Sequence, residues 1–91
     1  MSAADEQAVP GFAPGVRLKY DEARACWVLL APERVLMPDE TALEILRRCD
    51  GEASLAAIID ALAADYDVER SVIAADVLAL VADLRSKGIF R

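Results

Sequence analysis

The stretch Val16-Arg17-Leu18-Lys19-Tyr20-Asp21, continuing through Glu22-Ala23-Arg24 to Cys26-Trp27-Val28-Leu29-Leu30, decides the fold class. In its first part Val16, Leu18 and Tyr20 alternate with Arg17 and Lys19. That period of two marks a strand with one face in a core. Asp21-Glu22-Ala23-Arg24 is polar and suits a hairpin turn. The run Cys26 to Leu30 is too apolar for one solvated face, which predicts a central strand covered on both sides. Pro32 has no amide to donate and interrupts the ladder. Pro32-Glu33 then makes a tight connection into a third strand, Arg34-Val35-Leu36-Met37, which Pro38 stops. The expectation is a three-stranded antiparallel meander.

From Asp39 onward the period lengthens to 3.6. Asp39 is placed to cap a helix that carries Ala42, Ile45, Leu46 and Cys49 on one face and ends at Asp50-Gly51. Ser54 is the next N-cap. Leu55, Ile58, Ile59, Leu62 and Tyr66 recur at helical spacing behind it. Asp67 is expected to cap a third helix that runs to Lys87. There Gly88 takes the left-handed turn and Ile89 packs back. The third helix carries two adjacent apolar stripes: Ile73, Val77, Leu80 and Leu84, then Ala74, Leu78 and Val81 continuing to Arg85. One stripe suffices for a three-helix core. The second either covers the sheet or walls a groove open to a ligand. Upstream of Val16, residues 1–15 hold Pro10, Gly11, Pro14 and Gly15 among small and acidic residues and are expected to form a mobile tail, with Phe12 a possible local anchor. The fold class is therefore α+β, an N-terminal three-stranded antiparallel sheet followed by a three-helix bundle, with one domain over residues 16–91.

Composition narrows the function. The chain is 91 residues long and 56% apolar, which is too apolar for disorder and too short for two cores. No apolar run reaches the roughly 20 residues of a membrane span, and the acidic N-terminus lacks a signal h-region, so a cytoplasmic protein is expected. There is no histidine, which removes the commonest general base and metal ligand. Cys26 and Cys49 stand alone without CxxC spacing and read as small packing residues. No phosphate-binding loop, dinucleotide fingerprint or zinc cluster is present. Neither an enzyme nor a bound cofactor or metal is expected.

The formal charge is −6, of which residues 39–91 contribute −5 with six basic and eleven acidic groups. Such a surface repels nucleic-acid phosphates and anionic lipid alike. Three successive helices raise the alternative of a winged-helix DNA reader. Yet the third helix presents Val72, Asp76, Asp83 and alanines, and no basic face. Ser54 at a helix start invites comparison with acyl carriers, but Ala53 stands where their aspartate would. Trp27 and Tyr66 read as core aromatics without a cofactor motif. A sheet of three strands has two edges, and an extended peptide can add to an edge as a further strand. Arg17 and Lys19 guard the first strand, whereas Arg34 to Met37 carry a single charge and form the more open edge. On the residues alone, an unspecified protein-interaction module and a peptide binder both stand.

Val16 to Asp21, Leu29-Leu30-Ala31-Pro32-Glu33, Ile45-Leu46 with Cys49-Asp50-Gly51, Asp76-Val77, and the closing Leu84, Gly88 and Ile89 together resemble the PqqD family from about Pro14 to Arg91. The Leu-Leu-x-Pro-Glu turn and the Asp-Gly pair carry most of the resemblance. It implies a winged-helix-like recognition domain of a ribosomal peptide-modification pathway, acting as the non-catalytic chaperone of pyrroloquinoline quinone biosynthesis. The implied partners are the pathway's precursor peptide, held as an added strand, and the radical S-adenosylmethionine enzyme that cross-links its Glu and Tyr. The implied peptide-binding residues are Arg34, Val35, Leu36 and Met37 on the third strand and Ala74, Leu78, Val81 and Arg85 on the third helix.

Overall fold

The structure, a computed structural model, describes residues 6–91. Three strands, β1 (Arg17–Asp21), β2 (Cys26–Ala31) and β3 (Arg34–Leu36), precede three helices, α1 (Glu40–Leu46), α2 (Leu55–Tyr66) and α3 (Arg70–Ser86). The sheet is antiparallel in the order β1-β2-β3, as the meander predicts. Val16 and Met37 fall just outside the strands to which their pattern assigns them.

The register explains the burial. Leu29 of β2 stands between Leu18 and Leu36 and faces the helices. Its neighbour Val28 stands opposite Lys19 and faces the other way, yet both are almost fully buried. On that other face Val28 is buried while Cys26 and Leu30 are half-buried, so the central strand is covered on the helical side and only partly on the other. The two hairpins are tight. Arg24 donates to the Asp21 carboxylate from both its backbone N–H and its guanidinium, bracing the first, and only Pro32 and Glu33 separate Ala31 from its partner Arg34 in the second.

On the helical side, Asp39 Oδ1 accepts from the Ala42 amide at 2.8 Å and Ser54 Oγ from the Ala57 amide at 3.2 Å, so both predicted N-caps form. Ile45, Leu46, Ile58, Ile59 and Leu62 close one apolar cluster with Val77, Val81 and Leu84 of α3. Gly88, at φ +76°, ends α3. Its amide donates to the Arg85 carbonyl and that of Ile89 to the Leu84 carbonyl, the two bonds of a Schellman end.

Three boundaries differ from expectation. α1 ends at Leu46 and not at Asp50-Gly51, because the Arg48 and Cys49 amides bond three residues back and tighten the last turn. Asp50 instead braces the following loop, its Oδ1 accepting from the Glu52 and Ala53 amides, and those bonds hold its carboxyl below the usual range. Asp67 does not start α3. It adopts a left-handed conformation, φ +53°, and terminates α2, while α3 begins after Glu69 without a side-chain cap. Tyr66 is half exposed at the last position of α2, past the end of the core stripe.

Residues 6–15, expected in a mobile tail, lie along the domain; residues 1–5 are outside the described residues. The Glu6 and Ala8 carbonyls accept from the Ala56 and Leu55 amides at the start of α2. The Arg70 guanidinium binds the Glu6 carboxylate. Phe12 pairs with Phe90, and Pro10 and Gly11 are buried. Proline and glycine stop this segment from forming a regular element, but they leave its carbonyls and apolar rings free to pack.

Candidate functional site

β3 is an edge strand with one neighbour, β2. Its three residues have different duties. Arg34 and Leu36 stand opposite Ala31 and Leu29 in the ladder, with Val35 opposite Leu30 between them. In an antiparallel pair joined by a two-residue turn, the residues flanking the turn exchange hydrogen bonds and the next pair does not. The Val35 N–H and C=O therefore point away from β2, toward the open edge. Among the described residues no main-chain bond outside the ladder involves Arg34 to Met37. The other edge, β1, exposes Arg17 and Lys19, charges that discourage strand addition.

Side chains alternate across β3. Leu36 faces the helices and is half-buried against the apolar cluster, whereas Val35 points to the opposite face and is half exposed. Met37, beyond the strand, is 64% exposed. Ala74 and Leu78 of α3 rest half-buried on the same cluster as Leu36.

The eight residues predicted to bind a peptide thus separate into groups. Leu36, Ala74 and Leu78 lie on the margin of one apolar cluster. Arg34, Val35 and Met37 are exposed along the edge strand and just beyond it. Val81 is 2% exposed and belongs to the core itself, so it supports the surface from beneath. Arg85 is exposed, and its Nε donates to the Arg91 carbonyl at 3.3 Å, so its guanidinium is drawn to the chain end. The buried centre of α3, Val77, Val81 and Leu84, falls between the two apolar stripes read from the sequence. Ile73 and Leu80 of the first stripe, like Ala74 and Leu78 of the second, are half-buried flanks.

Two further features escape sequence reasoning. Trp27 is half-buried and meets Tyr20 edge-on, with centroids 5.5 Å apart, while the Arg47 guanidinium lies 5.6 Å from the Trp27 ring centre. This cation–π contact ties the end of α1 to the sheet. The second is a groove of about 580 Å³ between α1, the end of α2 and the start of α3, floored by Ile45, Leu62 and Val77. Its signal in the sequence is Val68 and Val72, apolar residues outside the core stripes; Tyr66, read from the sequence as a core aromatic, is 51% exposed and stands on the groove instead. Both cysteines are free. Cys49 donates to the Ile45 carbonyl, and burial pushes its thiol up to about 12, which makes it unreactive at neutral pH.

The family model described as coenzyme PQQ synthesis protein D (PqqD) matches residues 26–89. A Rhodopseudomonas palustris protein named PqqA binding protein is 60% identical over 72 residues, covering 79% of this chain and 71% of the relative. A protein of the same name from Xanthomonas oryzae pv. oryzae is 48% identical over 91 residues, covering 100% and 99%. The solution structure of the PqqD truncation of Methylobacterium extorquens PqqCD, described as a functional, stand-alone recognition element for ribosomally synthesised and post-translationally modified peptides, superposes with a TM-score of 0.80 at 35% identity. That likeness covers 100% of this chain and 99% of the other. The crystal structure of PqqD from Xanthomonas campestris superposes at 0.62 with 45% identity, covering 96% and 97%.

Proposed function

This chain belongs to the PqqD family, and on that premise we propose that it binds the PqqA-type precursor peptide of pyrroloquinoline quinone biosynthesis as a fourth strand along β3. It then presents that peptide to the radical S-adenosylmethionine enzyme that cross-links a Glu and a Tyr within it. The relatives' name, PqqA binding protein, supports the guest. The observation that carries the mode of binding is the outward-pointing Val35 amide and carbonyl, on the edge that β1's charges do not guard.

Ordering an extended peptide costs about 1–2 kcal/mol of backbone entropy per residue. Edge hydrogen bonds at Val35, extended by ordering Met37, and apolar contact with Leu36, Ala74 and Leu78 offset that cost. Holding the peptide beside the enzyme raises its local concentration, so the chain's own part is binding and not bond-making. Titration of the 15N-labelled chain with the precursor peptide tests the reading. Amides of Arg34 to Met37 and of Ala74 to Leu78 are expected to shift most. Shifts centred on β1 instead would overturn edge addition at β3.

A further inference from the structure

We propose that the groove between α1, the end of α2 and the start of α3 is a second docking surface, and that it receives a basic, apolar-anchored segment of the enzyme that modifies the captured peptide. The proposal rests on the reading of this chain as a peptide-presenting module, and it locates and characterises the other half of that presentation.

Three observations carry it. The groove, about 580 Å³, is concave and has a buried apolar floor. On its rim stand Tyr66, Val68 and Val72, exposed by 51%, 39% and 52%. Large apolar groups grouped around a groove mark an interaction surface, and an aromatic rim residue is a common anchor of such contacts.

The second observation is charge. The lining includes Glu40, Glu44 and Asp76 and no Lys or Arg. Glu44 is held by Arg48, but no ion pair of Glu40 or Asp76 is recorded among the described residues. A partner that covered these carboxylates without supplying cations would strand them in a desolvated contact. An acidic or purely apolar segment is therefore disfavoured, and a segment whose Lys or Arg residues flank large apolar side chains is favoured.

The third is position. At about 100° per residue, Asp76 and Leu78 lie about 200° apart around α3 measured across its buried side, where Val77 and Val81 sit. The precursor peptide and the groove's occupant therefore contact opposite flanks of one helix. Both can be held at once without collision, as presentation of a substrate requires.

Calorimetric titration of the full chain with the purified radical S-adenosylmethionine enzyme tests this. Val72→Glu adds a carboxylate to the rim at an exposed helix position, and Tyr66→Ala removes the anchor. Each is expected to weaken enzyme affinity at least tenfold while precursor-peptide affinity stays within twofold. Ala57→Glu, exposed in the first turn of α2 and away from both the groove and β3, is expected to leave both unchanged. Enzyme affinity is also expected to fall as salt rises. If the precursor binds but neither rim variant weakens the enzyme, the groove assignment falls. It falls equally if sedimentation shows a second copy of this chain in the groove, with Val72→Glu dissociating that dimer. If the precursor itself fails to bind the wild-type chain, the presenting role falls and the proposal with it.

Discussion

Phe12 and Phe90 form an isolated antiparallel bridge whose rings lie 5.3 Å apart at 40°, joining the two ends of the domain. The Ala13 amide donates to the Ile89 carbonyl at 2.8 Å and the Arg91 amide to the Gly11 carbonyl at 2.9 Å, so the contact is a short two-sided strap. Phe90 is 3% exposed and Phe12 half-buried. Truncating a buried Phe to Ala costs about 3–5 kcal/mol. Phe90→Ala is therefore expected to leave the chain largely unfolded, given the modest stability of a domain this small. Phe12→Ala is expected to lower the thermal midpoint by a smaller but clear margin. An unchanged midpoint in Phe12→Ala would mean that the strap contributes nothing.

Peptide capture is predicted to depend on the main chain of Val35 and not on its side chain. Val35→Pro removes an amide that faces away from β2, a position at which an edge strand tolerates proline. Loss of that bond and the bulk of the ring are expected to weaken the precursor at least tenfold, about 1.4 kcal/mol, with the far-ultraviolet circular dichroism unchanged. Val35→Ala is expected to bind nearly as the parent does. Leu36→Pro, whose amide belongs to the ladder with Leu29, should damage the sheet itself.

Leu78 and Val81 are expected to part company in the same pair of assays. Val81 is in the core, so Val81→Ala costs about 2 kcal/mol of stability from lost burial and the cavity left behind. Leu78 is half-buried at the margin. Leu78→Asp is expected to reduce precursor affinity more than it reduces the thermal midpoint. The opposite ranking would place Leu78 in the core.

Acid is predicted to loosen the N-terminal segment first. The Arg70 guanidinium bonded to Glu6 holds that carboxyl below its ordinary value of 4.5, and Arg70 is itself raised and remains charged. A carboxyl depressed in the folded state stabilises it fully above the unfolded value, and that contribution is lost as pH falls through the folded one. Hydrogen-exchange protection of the Leu55 and Ala56 amides, which donate to Ala8 and Glu6, is expected to hold at neutral pH and to drop below about pH 4.5. Glu6→Gln is expected to remove that pH dependence. Protection that persists unchanged at low pH would show that Glu6 does not fasten the segment.

Periodicity was enough to read the order of the elements. The alternation at Leu18 and Tyr20, the doubly apolar run at Val28 and Leu29, and the caps Asp39 and Ser54 are local signals, and local chemistry decides them. The open edge at β3 was legible for the same reason, because proline placement and the lone Arg34 are written in order along the chain. Which side of α3 the core would take was not legible. Two stripes of similar apolarity compete on that helix, and only packing against α2 and the sheet turned it so that Val81 went inside while Ile73 and Leu80 stayed at the margin. The same holds for residues 6–15, whose composition resembles a tail. Their partners, Phe90, Leu55 and Arg70, are distant in sequence, and no local pattern encodes contacts between residues that meet only once the chain has closed.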